Sequence, residues 1–363
     1  MEFAETIKNA LDAMLGPVTF FVISSLGVFA MIAFRGWWTK GSVAFTLLVL
    51  SIIYFLLSMT DADFRAIVQK PDNIPITIML YSVGFVLWIS FRKMVVNDNL
   101  IAAGKPTIES RESRKRVFCW PDLVYGEFLI LLAVSIFLLW WAIVIKAPLE
   151  EPASQAKTPN PSKAPWYFLG LQEMLVYYDP WLAGVVFPSL IINGLMAIPY
   201  MDMNPKGNGY YTFKERPFAI VTFLYGFIVL WVLLIMLGTF LRGPNWSFFG
   251  FYEYWDVHKL EALTNVNFSE IFWNQWLQMP MPDALLVREL PGFIICIGFF
   301  AALPPLMANS PLFRKMFIEM GFLRFNMFAN LFLFMIALPI KMALRWIFNL
   351  KYIVAIPEWF FNI

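Results

Sequence analysis

Eight long apolar stretches divide this sequence and constrain its fold more than any other feature. They lie near 18–34, 43–59, 75–91, 124–145, 182–200, 218–241, 290–307 and 325–349. Each can cross the roughly 30 Å hydrocarbon core of a bilayer as a helix. Because a backbone in hydrocarbon must satisfy its own hydrogen bonds, helices are favoured over open strands. The pattern predicts an all-α, polytopic membrane protein with about eight transmembrane helices.

Composition agrees with a membrane class. The 363 residues are 60% hydrophobic and 14% charged, with a mean hydropathy of +0.66, which is more apolar surface than one soluble core would bury. The net charge of +2 is small and dispersed, so membrane lipid is an expected partner and nucleic acid is not. Residues 1–16 lack the pattern of a cleaved signal peptide, and none is expected.

The distribution of Lys and Arg predicts the topology. If the stretches alternate, the connections at 35–42, 92–123, 201–217 and 308–324 share one side and hold 15 Lys and Arg, against nine on the other side. Cytoplasmic loops carry the positive excess, so we expect both chain ends, and the connection 146–181, on the outer side. We interpret the basic cluster of Arg111, Arg114, Lys115 and Arg116 as a topology anchor with weak contact to anionic lipid.

Shifts in composition predict four regions. Residues 1–110 form a three-helix membrane module of unknown role, and 111–241 form a second module with three spans. Residues 242–289 are rich in Trp and Phe and are expected to form an outer interfacial segment, on the membrane surface or beneath a peripheral subunit. Residues 290–363 add two membrane helices and an interfacial tail, in which a kink at Pro339 is expected.

Few residues offer metal or redox chemistry. His258 is the single histidine, so the chain cannot supply two histidines to a haem, and a surface role is expected for it. Cys119 and Cys296 belong to no C-x-x-C pattern, so no metal site is expected. Glu127 is the clearest carboxylate within a span, and its place near the inner edge favours snorkelling. Such scarce buried charge disfavours a transporter.

The connection between the fourth and fifth stretches combines proline, acidic and aromatic residues in an unusual order. It contains Pro148-Leu149 and Glu151-Pro152-Ala153, then Thr158-Pro159, then Pro165-Trp166-Tyr167-Phe168. Trp120-Pro121-Asp122 and Tyr125-Gly126-Glu127 precede it, and Arg216-Pro217-Phe218 precedes the sixth stretch.

This combination resembles the C-terminal half of cytochrome b in quinol:cytochrome c reductases. In split versions of that protein, this half is a separate chain, known as subunit IV in the plant-type cytochrome b/f complex. The resemblance covers roughly residues 117–241 and includes three spans in the family's order. It identifies 111–241 as a cytochrome b C-terminal module.

The resemblance implies a membrane subunit of an oxidoreductase complex that transfers electrons from quinol to cytochrome c or another high-potential acceptor, in respiratory or photosynthetic electron transfer. The substrate would be quinol. The implied partners are the haem-b-bearing N-terminal half of cytochrome b and a Rieske iron–sulfur protein, a c-type cytochrome or both. The implied location is the bacterial inner membrane, with the quinol-oxidising loop on the periplasmic side, and the chain would not be active alone.

The same resemblance implies a set of site residues. The family's Pro-Glu-Trp-Tyr tetrad borders the quinol pocket, and its Glu is thought to accept a proton. Here the tetrad reads Ala164-Pro165-Trp166-Tyr167, so Pro165 stands where the family has Glu. Pro165, Trp166 and Phe168 are expected to line the quinol pocket and Tyr167 to take part in catalysis. Glu173, about two helical turns further on, is the candidate replacement for the proton acceptor, although helical periodicity places it on the face of Trp166 rather than Tyr167.

Alternative interpretations stay open. The chain could be a membrane scaffold that kept the fold, lost the proton-accepting Glu and anchors peripheral electron-transfer subunits. Glu173 could pair with a loop cation, or Tyr177, Tyr178 and Asp179 could form an interfacial belt. Pro357-Glu358-Trp359-Phe360 also imitates the tetrad, but it lacks the Tyr and the flanking spans and is not expected to line the site.

Overall fold

A computed structural model describes residues 2–113, 116–147, 149, 152–205 and 209–363 of the chain. Helices form nearly all of its regular structure. In the first part of the chain they are α1 Glu2–Met14, α2 Pro17–Ala33, α3 Arg35–Trp38, α4 Gly41–Ser58, α5 Ala62–Val68, α6 Ile74–Ala102 and α7 Ile108–Glu112. They continue with α8 Cys119–Val144, α9 Leu169–Met174, α10 Leu182–Met201, α11 Pro217–Leu241, α12 Leu285–Asn309 and α13 Arg314–Phe348.

The predicted membrane fold is confirmed. Seven helices in the described part of the chain are long and apolar enough to span a bilayer, namely α4, α6, α8, α10, α11, α12 and α13. An eighth span is obtained if α1 and α2, which meet at 80°, count as one broken helix. The protein is therefore an all-α, multi-pass membrane protein.

The chain divides into two compact units. The first unit is Met1–Tyr167 with Asn208–Lys259, and the second is Phe168–Gly207 with Leu260–Ile363. The aromatic segment 242–289 is thus shared between them, and its first part is packed rather than free, since Phe249 is fully buried. The four predicted regions and their boundaries stay a prediction.

Helix α11 supplies the densest core of the first unit, because Val229, Leu234, Ile235 and Leu241 along it are completely buried. Helix α8 is the opposite case, since its most apolar window has no buried residue. An apolar helix that stays exposed in the chain suits a hydrocarbon surrounding or a partner subunit.

A polar joint fixes the chain just before α11. Asp98, near the end of α6, is buried and accepts hydrogen bonds from the Thr212 hydroxyl at 2.6 Å and from the backbone N–H groups of Phe213 and Lys214 at 3.2 Å each. The neighbouring Asn97 amide donates to the Tyr211 carbonyl at 3.0 Å. Buried polar groups need such partners, and here they tie the C-terminal end of α6 to the entry of α11.

Helix α13 contains one residue with non-helical backbone angles. The helix runs through Pro339 to Phe348, and the non-helical residue is Gly321, at φ 75°, a value that glycine adopts more easily than any other residue. The kink expected at Pro339 stays a prediction. The chain then folds back after Phe348 and pairs β1 Ala355–Ile356 with β2 Phe361–Asn362 in antiparallel register.

Candidate functional site

Residues 160–163 are anchored within the first unit just before the predicted site. Asn160 and Asn245 exchange two hydrogen bonds, of 2.8 Å and 2.6 Å. The Lys163 ammonium donates to the Thr239 carbonyl at 2.8 Å and lies 4.7 Å from the ring centre of Trp255. These contacts fix the backbone two residues before Pro165. Pro148, Glu150 and Glu151 of the predicted motif lie outside the described residues, as do Arg114 and Lys115 of the basic cluster.

The aromatic residues of the predicted site, Trp166–Phe168, come soon after this anchored segment and are accessible. Pro165 is exposed, and Trp166–Phe168 form a single 3₁₀ turn that leads into α9. The Trp166 and Tyr167 rings pack edge to face with their centroids 5.6 Å apart, an arrangement that aromatic quadrupoles favour. Tyr167 and Phe168 are each about half exposed, so the turn presents an aromatic surface.

Glu173 has the opposite environment. It lies in the last turn of α9 and is completely buried. Pro165, Trp166 and Tyr167 belong to the first unit, whereas Phe168 and Glu173 belong to the second. The predicted site residues therefore differ in their exposure to solvent. The aromatic turn at 166–168 is accessible, whereas the Glu173 carboxyl is buried.

Lys351 holds the end of α9. Its ammonium donates to the carbonyls of Leu175 and Val176, at 3.4 Å each. Terminal carbonyls have no partner within the helix, and a cation beside them stabilises the negative end of the helix dipole. Burial lowers the pKa of Lys351, and the nearby charge of Arg345 lowers it further. This contact is not visible in the sequence, because 175 residues or more separate the partners.

The residues that follow α9 are packed rather than interfacial. Tyr177 and Tyr178 are buried, and the Tyr178 ring lies 4.8 Å from that of Phe187. Burial raises the pKa of the Tyr178 phenol. The alternative of an interfacial belt is therefore wrong for these two tyrosines. Asp179 accepts a hydrogen bond from the Asn362 amide at 3.1 Å, so the C-terminal segment contacts this region again.

Sequence reasoning missed most of the buried charges of the second unit. Lys341 and Arg345 on α13 are buried, and backbone carbonyls satisfy both: that of Ile363 for Lys341, and those of Thr264 and Asn349 for Arg345. Glu289 is also buried, and it accepts from Arg288 and from the Ala355 N–H at 3.0 Å each. The spacing of positions 341 and 345, four residues apart on one helix face, was the available signal for these buried charges.

Glu127 is the carboxylate that the sequence placed most clearly within a span. In the structure it is exposed.

The other residues singled out in the sequence lie apart from this site. His258 is exposed, and its backbone N–H donates to the Asp256 carboxylate at 2.9 Å. Glu358, in the tetrad-like tail, pairs with Arg288 at 3.6 Å. Among the described residues, no three His, Cys, Asp or Glu side chains cluster as metal ligands would. A single exposed histidine does not fit the axial ligation of a b-type haem.

Comparisons with known proteins agree with this picture. The family described as cytochrome b (C-terminal)/b6/petD matches residues 152–254. The menaquinol:cytochrome c reductase cytochrome c subunit of Geobacillus thermodenitrificans is 27% identical over 122 residues, which are 31% of this chain and 49% of that protein. The chain thus spans about half the length of that curated relative. No solved structure matches this chain significantly.

The fold defines the class as a multi-pass helical membrane protein. Its residues 152–254 match the cytochrome b (C-terminal)/b6/petD family, of which subunit IV-like chains are members, and the matched region includes the aromatic turn and Glu173.

Proposed function

We propose that this chain is a membrane subunit of an oxidoreductase that transfers electrons from quinol to cytochrome c or another high-potential acceptor, in respiratory or photosynthetic electron transfer. The observation that carries the proposal is the cytochrome b C-terminal match at 152–254, which contains the whole of 165–173. The chain acts within a complex and not alone. Its partners are a chain with haem b, equivalent to the N-terminal half of cytochrome b, and a Rieske iron–sulfur protein or a c-type cytochrome. The complex lies in the bacterial inner membrane.

The aromatic turn contributes one wall of a quinol-oxidation site on the periplasmic side. Tyr167 and Phe168 are half exposed, so a flat quinol ring can pack on them and the Tyr167 hydroxyl can bond to a ring oxygen. Trp166 holds the Tyr167 ring by its edge-to-face contact. Pro165 fixes the backbone at the start of the turn but has no group that accepts a proton.

The protons released by quinol oxidation require an acceptor group in the site. Oxidation of one quinol to quinone releases two electrons and two protons, and the electrons pass to acceptors that the partner chains hold. At least one proton needs a titratable group within hydrogen-bond reach. Because Pro165 cannot serve, we assign this role to Glu173. Glu173 is the first carboxylate in the sequence after the aromatic turn.

A specific observation also favours the scaffold alternative. Glu173 is completely buried, and the position of the family's Glu is taken by Pro165. If the chain is such a scaffold, residues 165–173 preserve the fold and take no part in proton transfer.

Two substitutions in the purified complex separate these functions. Glu173→Gln keeps the shape but not the titratable group, and we expect quinol oxidation to fall about 10²-fold; Tyr167→Phe should cost about fivefold, the value of one hydrogen bond. The exposed residues Glu261 and Tyr254 provide matched controls, as Glu261→Gln and Tyr254→Phe. Unchanged rates in both site variants, in a complex with intact subunits, would refute the catalytic role and leave the scaffold.

A further inference from the structure

The first unit contains a large apolar cavity that the proposed quinol-oxidation segment does not use. It has a volume of about 810 Å³ and lies between α4, α6 and α11, with Phe64 of α5 and Phe251 also in its wall. This volume is in the range of cavities that bind cofactors and small molecules. All of its lining residues lie outside 152–167 and within the first unit.

The lining selects an uncharged, flat molecule. Ten of its twenty residues are aromatic, and among these described residues none carries a charge at neutral pH. Aromatic rings pack on one another by stacking or edge to face, whereas a phosphate or ammonium group here would lose its hydration without a partner. The chemistry of the wall therefore favours a neutral aromatic ring over a charged headgroup.

The cavity opens on the exposed side of two predicted membrane spans. Phe45 on α4 and Phe85 on α6 both line it, and both are largely exposed. Gly41 and Gly84 also line it, and a Cβ atom at either would meet nothing within 4 Å. Since α4 and α6 are membrane spans, a molecule dissolved in the hydrocarbon can enter from the side.

One edge of the cavity carries ordered hydroxyl groups. The Tyr252 hydroxyl donates to that of Tyr54, a lining residue, at 3.1 Å, and lies 2.8 Å from the Ser58 hydroxyl. The Tyr252 N–H in turn bonds to Asp12 at 3.2 Å, which fixes this tyrosine. A phenol oxygen that accepts a hydrogen bond still carries its own hydrogen. Tyr54 can therefore donate to an oxygen on a bound ring.

We propose that this cavity binds a lipid-soluble aromatic molecule of the quinone or quinol class, with its ring between the aromatic walls and one ring oxygen hydrogen-bonded to Tyr54. Its apolar tail leaves through the opening at Phe45 and Phe85. The site is separate from the aromatic turn at 166–168 and does not depend on the function proposed for that turn.

Photolabelling of the full-length protein in lipid nanodiscs tests this proposal. The probe is a 1,4-naphthoquinone with a short prenyl tail and a photoreactive azide, and the competitor is the same quinone without the azide. We expect labelled peptides from α4 and α6, and loss of this label with excess competitor. Gly84→Leu fills the cavity and should abolish the label, whereas Gly27→Leu, on α2 with equal free space, should retain it.

A second variant tests the polar contact. Tyr54→Phe should weaken competition about fivefold, the value of one hydrogen bond, whereas Tyr125→Phe, an exposed tyrosine outside the cavity, should not. Labelling of α4 and α6 that the competitor does not reduce would identify a lipid acyl chain as the occupant and overturn the proposal. Labelling confined to residues near 166–173 would also overturn it, while supporting the quinol-oxidation segment.

Discussion

The Lys351 ammonium lies 3.4 Å from the Leu175 carbonyl, at the end of the helix that carries Glu173. The contact joins the C-terminal segment to the cytochrome b-like region across 176 residues of sequence. We therefore predict that Lys351 is a positioning residue, which acts on the proposed proton acceptor through the backbone that follows α9 rather than by touching quinol.

Lys351→Met should slow quinol oxidation about threefold to tenfold, because the carbonyls of Leu175 and Val176, just after α9, lose a cationic donor worth about 1 kcal/mol. The effect should appear in kcat rather than KM, since the aromatic turn stays in place. Lys351→Arg should restore most of the rate, and Lys315→Met, at an exposed position, should have no effect. Equal losses in the Met and Arg variants would contradict a positioning role.

Asp98→Ala should destabilise the first unit by about 2–3 kcal/mol, because it leaves the buried Thr212 hydroxyl and two backbone N–H groups without their acceptor. Thermal unfolding in detergent measures the loss, and limited proteolysis should show earlier cleavage near 209–216. Asp98→Asn retains an acceptor oxygen and should lose less. Identical stabilities of the Ala variant and the native protein would contradict this account of the joint.

Gly292→Ala should destabilise the second unit, because its Cβ atom would lie 2.2 Å from the Ile353 carbonyl oxygen, a backbone atom. Overpacking of this kind costs typically about 1–3 kcal/mol. Gly298→Ala, on the same helix with nothing within 4 Å, should be neutral or slightly stabilising. A neutral Gly292→Ala would contradict this close approach of the Ile353 backbone to Gly292 of α12.

The pair of Lys8 and Asp61 predicts a dependence of stability on pH. Burial alone raises the pKa of Asp61, but the hydrogen bond from Lys8, its charge and the N–H groups of Phe64 and Asp63 outweigh it, so the pKa lies below its usual value. The ion pair therefore contributes to the free energy of unfolding above the pKa of about 3.9 that Asp61 has in the unfolded chain. This contribution is lost as the pH falls through the lower pKa of Asp61 in the folded protein.

Asp61→Asn preserves the cap of α5 and removes the charge. We expect a loss of at most about 1 kcal/mol at pH 7, since Lys8 is partly exposed, and the difference from the native protein should shrink below about pH 4. In a double-mutant cycle, Lys8→Met should cause little further loss of stability once Asp61→Asn is present. A difference that stays constant down to pH 3 would contradict the ion-pair origin.

The helical membrane fold could be predicted because the hydropathy of long stretches responds to one strong constraint, the apolar bilayer. The aromatic turn at 166–168 could also be predicted, since proline and the family motif act locally. The contacts of Lys341 with the Ile363 carbonyl and of Glu289 with the Ala355 N–H could not, because these partners are backbone groups of distant segments. The non-helical Gly321 depends on a backbone angle that hydropathy does not encode.

Purification of the native complex through a tag on this chain tests the central claim most directly. The account predicts that a haem-b protein co-purifies, with a reduced-minus-oxidised spectrum of b-type haem, and that the preparation reduces a high-potential acceptor when quinol is added. Glu173→Gln should lower that rate without changing the haem content. A preparation that contains no b-type haem and does not oxidise quinol would contradict the account.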